Sequence, residues 1–214
     1  MSIRLTPLGR MVVPVLVLVG LIGLNGWLSA TMGRGPWLDV DKVFHLAIGI
    51  VVSWVFYYLL RQKHDAVPHY GFFGAGMMLG ASGWFPLVSQ GLLFSALPDW
   101  DITLFGIGSH RNPAFHSALI PFFLVIGLLH YRGMRDFAIG LSVGVCSHLL
   151  VDLCQSASSH PDWYRPNFYP IVRGMYGPFA VLWMLGNALI AAGLAYGAAG
   201  RQPALVRMER EGFE

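Results

Sequence analysis

Charge is scarce in this sequence. Only 12% of its 214 residues are charged, against about 25% in an ordinary soluble domain, and lysine is confined to Lys42 and Lys63. That shortage excludes a typical cytosolic fold. Cysteine is nearly absent as well: Cys146 and Cys154 sit eight residues apart on one predicted helix, roughly 12 Å of helical rise. They are too far apart to pair, so no disulfide framework supports the chain. There is no repeat of fixed period and no low-complexity tract, which excludes a solenoid. The formal net charge is +3, but the arginines that carry it fall between hydrophobic stretches. They suit orientation in a bilayer better than nucleic-acid binding, and no nucleic-acid partner is expected.

Hydrophobicity is what the chain has in abundance, at 55% of residues. Windows of roughly 20 apolar residues predict spans at 9–30, 43–60, 70–97, 114–131, 136–155 and 178–199. The fold expected is an all-α integral membrane protein, a bundle of about six transmembrane helices. A signal-peptide reading of the first stretch, behind Arg4 and Arg10, would leave five; the absence of a clean small-residue cleavage site favours an uncleaved span. The third stretch is too long for one straight helix, and a kink or break is expected near Gly83–Pro86. Gly76 with Gly80, and Gly140 with Gly144, have the spacing that lets membrane helices approach closely. Residues 1–200 form one helical domain, with an ordered polar loop at 156–177 and a short cytoplasmic tail at 201–214.

Ionisable side chains are costly in lipid, at about 2.5–3.5 kcal/mol each near the bilayer centre. Here a group of them falls at one level. His45 lies near one end of the second span, and Asp99 and Asp101 end the third. His110 and Arg111 follow in the next loop, His116 opens the fourth span, and His148 and Asp152 close the fifth. In His148-Leu-Leu-Val-Asp152 the spacing of four puts both polar groups on one helical face. In Asp99-Trp100-Asp101 an extended backbone would place both carboxylates on one side. Imidazole with carboxylate suits zinc first, with manganese or iron as alternatives, and several bridging carboxylates suit a multi-metal site. Each signal also has a plainer reading: an Asp-x-Asp after Pro98 as a helix cap, Asp101 paired to Arg111, His45 held by Asp41 and Lys42 at an interface. Unrelated caps and pairs would not be expected to share one depth and one side, and that is what favours a common site. His64, His69 and His130 fall outside the group. His160 and Asp162 border it at most, and the aromatics Trp163, Tyr164, Phe168 and Tyr169 read as an interfacial belt.

Three ordered motifs carry a family resemblance. Pro98-Asp99-Trp100-Asp101, His110-Arg111-Asn112-Pro113-Ala114-Phe115-His116-Ser117 and Gly144-Val145-Cys146-Ser147-His148-Leu149-Leu150-Val151-Asp152 resemble the YdjM-like predicted membrane-bound metal-dependent hydrolases. His45 matches that family's earlier histidine, and the similarity covers about 45–155. Two features differ: Phe115 stands where the family usually has threonine, and a whole span precedes His45. The resemblance implies a hydrolase in a bundle of membrane helices, in a bacterial inner membrane. A looser similarity of ligand type, to zinc-dependent phospholipase C and P1-type nucleases, implies phosphoester chemistry. The integral lipid phosphatases are excluded, because their Lys-led Arg-Pro and Pro-Ser-Gly-His motifs are missing.

The reading is therefore a membrane-embedded metal-dependent hydrolase acting on a lipid or lipid-linked phosphoester. Asp99, Asp101, His116, His148 and Asp152 are the first-choice ligands of a divalent metal, with His45 and His110 next. Arg111 holds an anionic group and Asp101 is the candidate general base. Membrane lipid is the expected partner, and the oligomeric state is open. The alternative is a non-catalytic membrane metal binder or a small subunit of a larger complex. Nine basic residues fall in the loops on the N-terminal side and five on the other, which places the N-terminus in the cytoplasm and the site on the periplasmic or exterior side. Cysteines introduced at Ser109 and Ser158 should accordingly react with an impermeant reagent from outside; reaction from the cytoplasmic side alone overturns this topology.

Overall fold

The computed structural model describes residues 7–31, 34–61, 68–84, 95–106, 110–159 and 178–200. Among them are seven helices and no strand: α1 (Pro7–Thr31), α2 (Arg34–Arg61), α3 (Tyr70–Ala81), α4 (Trp100–Phe105), α5 (Leu119–Leu128), α6 (Arg132–Ser159) and α7 (Pro178–Ala199). Three segments are long and apolar enough to cross a membrane: Asp41–Leu60, Gly133–Cys154 and Val181–Ala199. The expectation of six spans is thus corrected to three among the described residues, with Val12–Asn25 and Leu119–Leu128 as shorter apolar helices. The polar loop expected at 156–177 lies outside the described residues from 160 onward, and so does the tail 201–214. His64, His160, Asp162, Trp163, Tyr164, Phe168 and Tyr169 fall outside them too.

The third and fourth stretches were overextended for a shared physical reason: hydropathy measures solvent preference, not backbone path. α3 stops at Ala81. The N–H groups of Ser82 and Gly83 both bond to the carbonyl of Met78 at 3.0 and 2.8 Å, and Gly83 adopts φ +82°, a conformation glycine takes without strain. The break expected near Gly83–Pro86 therefore falls at Gly83; Pro86 lies outside the described residues. When the chain returns, Leu97 N–H bonds to the carbonyl of Leu79 at 2.8 Å, docking the segment before α4 onto the end of α3. The fourth stretch contributes a helix of only ten residues, α5, because residues 110–118 are spent on turns.

α6 is the central helix: 78% of its apolar span is buried, against 28% of the span in α7. α2 and α7 run antiparallel to it. Leu60 and Ala198 share a core cluster with Ala138 and Ile139, while Met184 lies in a second cluster with Leu149. α3 runs parallel to α6 in backbone contact. A Cβ on Gly76 would strike the Phe137 carbonyl, one on Gly140 the Phe73 carbonyl and one on Gly144 the Met77 carbonyl; one on Gly80 would come within 2.5 Å of the Leu141 carbonyl. The two glycine pairs are thus each other's partners. At the end away from the site, Asp136 on α6 accepts the His69 backbone N–H at 2.8 Å, and the His69 ring accepts Gly71 N–H to cap α3. The outward faces are apolar, with Leu16 and Val19 on α1, Phe123 and Ile126 on α5, and Leu182 and Leu189 on α7 all exposed.

This packing predicts a sharp contrast within one helix. Gly76→Ala should destabilise by about 1–3 kcal/mol, because the two backbones must separate. Gly74→Ala, where a Cβ meets nothing within 4 Å, should be neutral or stabilise by up to about 1 kcal/mol through helix propensity. Thermal melting of both variants in detergent measures the difference, and equal melting temperatures contradict the close packing.

Candidate metal centre

Three helices and one turn bring the polar groups to one end of the bundle. α2 supplies His45 and α6 supplies His148 and Asp152, one helical turn apart. The start of α4 supplies Asp99 and Asp101, and the turn before α5 supplies His110, Arg111 and His116. His45, Asp101, Arg111, His116, His148 and Asp152 are buried, whereas Asp99 and His110 retain 23% and 30% side-chain exposure. The two partly open residues mark the mouth.

At the centre, two ring nitrogens and two carboxylate oxygens form a closed quadrilateral. His116 Nε2 lies 3.7 Å from Asp99 Oδ1 and 3.6 Å from Asp152 Oδ2; His148 Nε2 lies 3.7 Å from Asp99 Oδ1 and 3.9 Å from Asp152 Oδ2. These separations are too long for hydrogen bonds. They sit close to the edges, about 3.3–3.6 Å, of a tetrahedron whose corners are about 2.0–2.2 Å from one ion. His116 Nε2, His148 Nε2 and Asp152 Oδ2 are buried and have no hydrogen-bond partner. His45 Nε2 approaches the other oxygen of Asp152 at 3.6 Å, and its ring packs 4.3 Å from that of His148.

The outer nitrogens of both central histidines are already engaged. His148 Nδ1 is 3.0 Å from the Ala81 carbonyl, which can only accept, so Nδ1 carries the proton and Nε2 offers its lone pair inward. His116 Nδ1 is 3.0 Å from Asp101 Oδ2, the carboxylate–histidine arrangement that orients metal-binding rings. Asp101 Oδ2 also accepts the Asn112 backbone N–H at 2.7 Å. Burial opposes ionisation of Asp101, yet its contacts with His110 and His116 prevail and hold the carboxyl well below the usual range. Burial likewise opposes a charged His116, but the carboxylates of Asp101 and Asp152 outweigh it and push its pKa up to about 9. A metal at Nε2 takes the place of that proton. The donor set and its fixed tautomers fit a divalent ion, and the groups His45/His148/Asp152, Asp99/His116/His148 and Asp101/His110/His116 each bring three ligand atoms within 4.8 Å of one another.

All eight residues singled out in the sequence meet here, by routes that differ in part from those expected. The segment Asp99-Trp100-Asp101 is not extended: Asp99 stands at the N-cap of α4 and Asp101 in its first turn. Asp99 makes no side-chain cap bond, so its carboxylate is turned to the cluster instead. Arg111 faces Asp152, with Nε 3.6 Å from Oδ2, rather than pairing with Asp101. Asp41 joins the rim, 3.6 Å from His45 Nε2. Its spacing of four from His45 on one helix is the signal that brings it in. Asn187 on α7 accepts the Ala118 N–H at 3.0 Å and so holds the turn carrying His116, a contact with no counterpart in any motif. Of the remaining histidines, His69 caps α3 at the opposite end and His130 is exposed.

No curated protein and no solved structure matches the chain. A family model does match, over residues 20–204, a stretch that includes every residue of the cluster, and the chain belongs to that family, described as a domain of unknown function (DUF5942).

Proposed function

We propose that the protein is a membrane-embedded hydrolase that uses a divalent metal ion, zinc first, to cleave a lipid or lipid-linked phosphoester. The observation that carries this reading is the quadrilateral of His116, His148, Asp99 and Asp152, three of whose inward atoms are buried and unpartnered. Such buried polar atoms are costly without a partner, because each lacks the interaction it would have in water. A bound ion supplies Lewis acidity and lowers the pKa of water toward about 7.

The chain's own groups supply the rest. Arg111 is buried, and its Nε and Nη1 have no hydrogen-bond partner, so it keeps N–H donors for an anion beside Asp152. It reaches that position from a backbone at φ +69°, an unusual conformation for a residue with a side chain and of the sort found where function fixes geometry. Asp101 acts through His116 rather than as the free base suggested by sequence, since Oδ2 is committed to His116 and Asn112. Leu104 and Phe105 of α4, three and four residues past Asp101, are exposed, and an acyl or isoprenoid chain can lie on such apolar side chains. The resemblance to the YdjM-like hydrolases supports the reaction class. The apolar outer faces and three membrane-length helices support a bilayer setting, and an outward-facing site with a cytoplasmic N-terminus rests on the distribution of basic residues and on α1 crossing as well.

His148→Ala and Asp152→Ala should lose bound metal together with phosphate release from a phospholipid-type or lipid-linked substrate, while Arg111→Ala keeps metal and loses activity. Metal content, thermal melting and phosphate release are measured on the same detergent-purified proteins. Wild-type protein that binds no transition metal overturns the proposal. Stoichiometric metal without turnover leaves the non-catalytic metal binder in its place.

A further inference from the structure

We infer that the cluster is built for two divalent cations bridged by Asp99, an inference that rests on the metal centre proposed above. One ion at the quadrilateral satisfies His116 Nε2, His148 Nε2, Asp99 Oδ1 and Asp152 Oδ2. Among the Asp and His atoms of the cluster it leaves His45 Nδ1, Asp101 Oδ1 and His110 Nδ1 buried and without a hydrogen-bond partner, and the last two lie 3.7 Å apart. At that distance they do not bond to each other. His110 Nδ1 also lies 3.9 Å from Asp99 Oδ1, so this pair adjoins a carboxylate already at the edge of the first centre. Asp101 is completely buried, and its other oxygen is saturated by Asn112 N–H and His116 Nδ1. Arg111, the arginine of the cluster, is directed to Asp152. The residues available for a second ion are therefore Asp99, Asp101 and His110, an oxygen-rich set beside the mouth, where an ion can enter.

Charge balance points the same way. With the histidines neutral, the carboxylates of Asp99, Asp101 and Asp152 cancel one divalent ion and Arg111 together, which leaves nothing to attract an anion. A second divalent ion leaves one or two positive charges, depending on whether Asp41 at the rim is counted. That surplus matches a phosphodiester or phosphomonoester anion, and paired ions are a recurrent way to hold both the attacking and the leaving oxygens of such a group.

The test is metal stoichiometry on the full-length, detergent-purified protein, stripped with chelator and titrated with Zn2+, read by calorimetry and by elemental analysis after desalting. Wild-type protein should take up two ions per chain. His110→Ala, at a partly exposed position where little packing is lost, should keep one and melt close to wild type. His148→Ala removes a ligand of the first centre and serves as the contrast. One ion in both wild type and His110→Ala overturns the two-ion inference and leaves the single-ion hydrolase standing; two ions in both also overturns it, since the second site then lies elsewhere. No ion in the wild type removes the proposed function itself.

Discussion

The contact between the backbones of α3 and α6 is the constraint on which the site depends. Four glycines remove the side chains that would separate the two helices, and each stands against a carbonyl of the partner helix. Parallel packing at that distance fixes the axial register, because a shift of one residue would bring a side chain into the seam. The register sets the Ala81 carbonyl beside His148 Nδ1, and so chooses the tautomer of a central histidine. It also ends α3 at the depth of His148. The chain that returns to bond Leu79 then delivers Asp99 to within 3.7 Å of His148 Nε2. At the other end, Asp136 fastens the first turn of α3 through the His69 N–H. α3 is thereby clamped at both ends to the helix that carries His148 and Asp152.

The turn between α4 and α5 is held by a different device, side chains bonded to backbone. Asp101 takes the Asn112 N–H, Asn112 takes the Ala114 N–H, Ser117 takes the Leu119 N–H and Asn187 takes the Ala118 N–H. Backbone groups that leave helical geometry in an apolar surrounding need such partners. The arrangement does two tasks at once: it lets a non-helical segment sit within the bundle, and it aims His116 at the centre. Asp101 links the tasks, since one oxygen fastens the turn at Asn112 and orients the His116 ring.

How much of this the sequence disclosed follows from which forces are local. The limits of α7 coincide with the predicted 178–199, and α2 and α6 contain their predicted spans, because long apolar runs leave the backbone little choice but helix. The small-residue spacing marked the right glycines, and the His148/Asp152 spacing marked a shared face, since both depend on helical periodicity alone. The third and fourth stretches misled because turns there are permitted by distant partners: Leu97 on Leu79, Asn187 on Ala118. The extended reading of Asp99 to Asp101 failed for the same reason, as α4 exists only where the returning chain docks. The Ala81 carbonyl carries no residue-type signal at all. A backbone acceptor becomes part of a site only through register, which no motif records.

The distribution of exposure around the cluster gives the geometry a direction. His45, His148 and Asp152 sit on the two long helices and are buried, so they are held by packing that the rest of the bundle enforces. Asp99 and His110 stand at the start of the short helix and in the turn, and both keep appreciable exposure. Such a site is rigid at its base and open at its rim. Solvent reaches the cluster at Asp99 and His110, whereas the contact of Arg111 with Asp152 is buried. Arg111, next in sequence to His110, is itself buried against Asp152, so the turn carries both an open residue and a closed one and joins the rim of the cluster to its base.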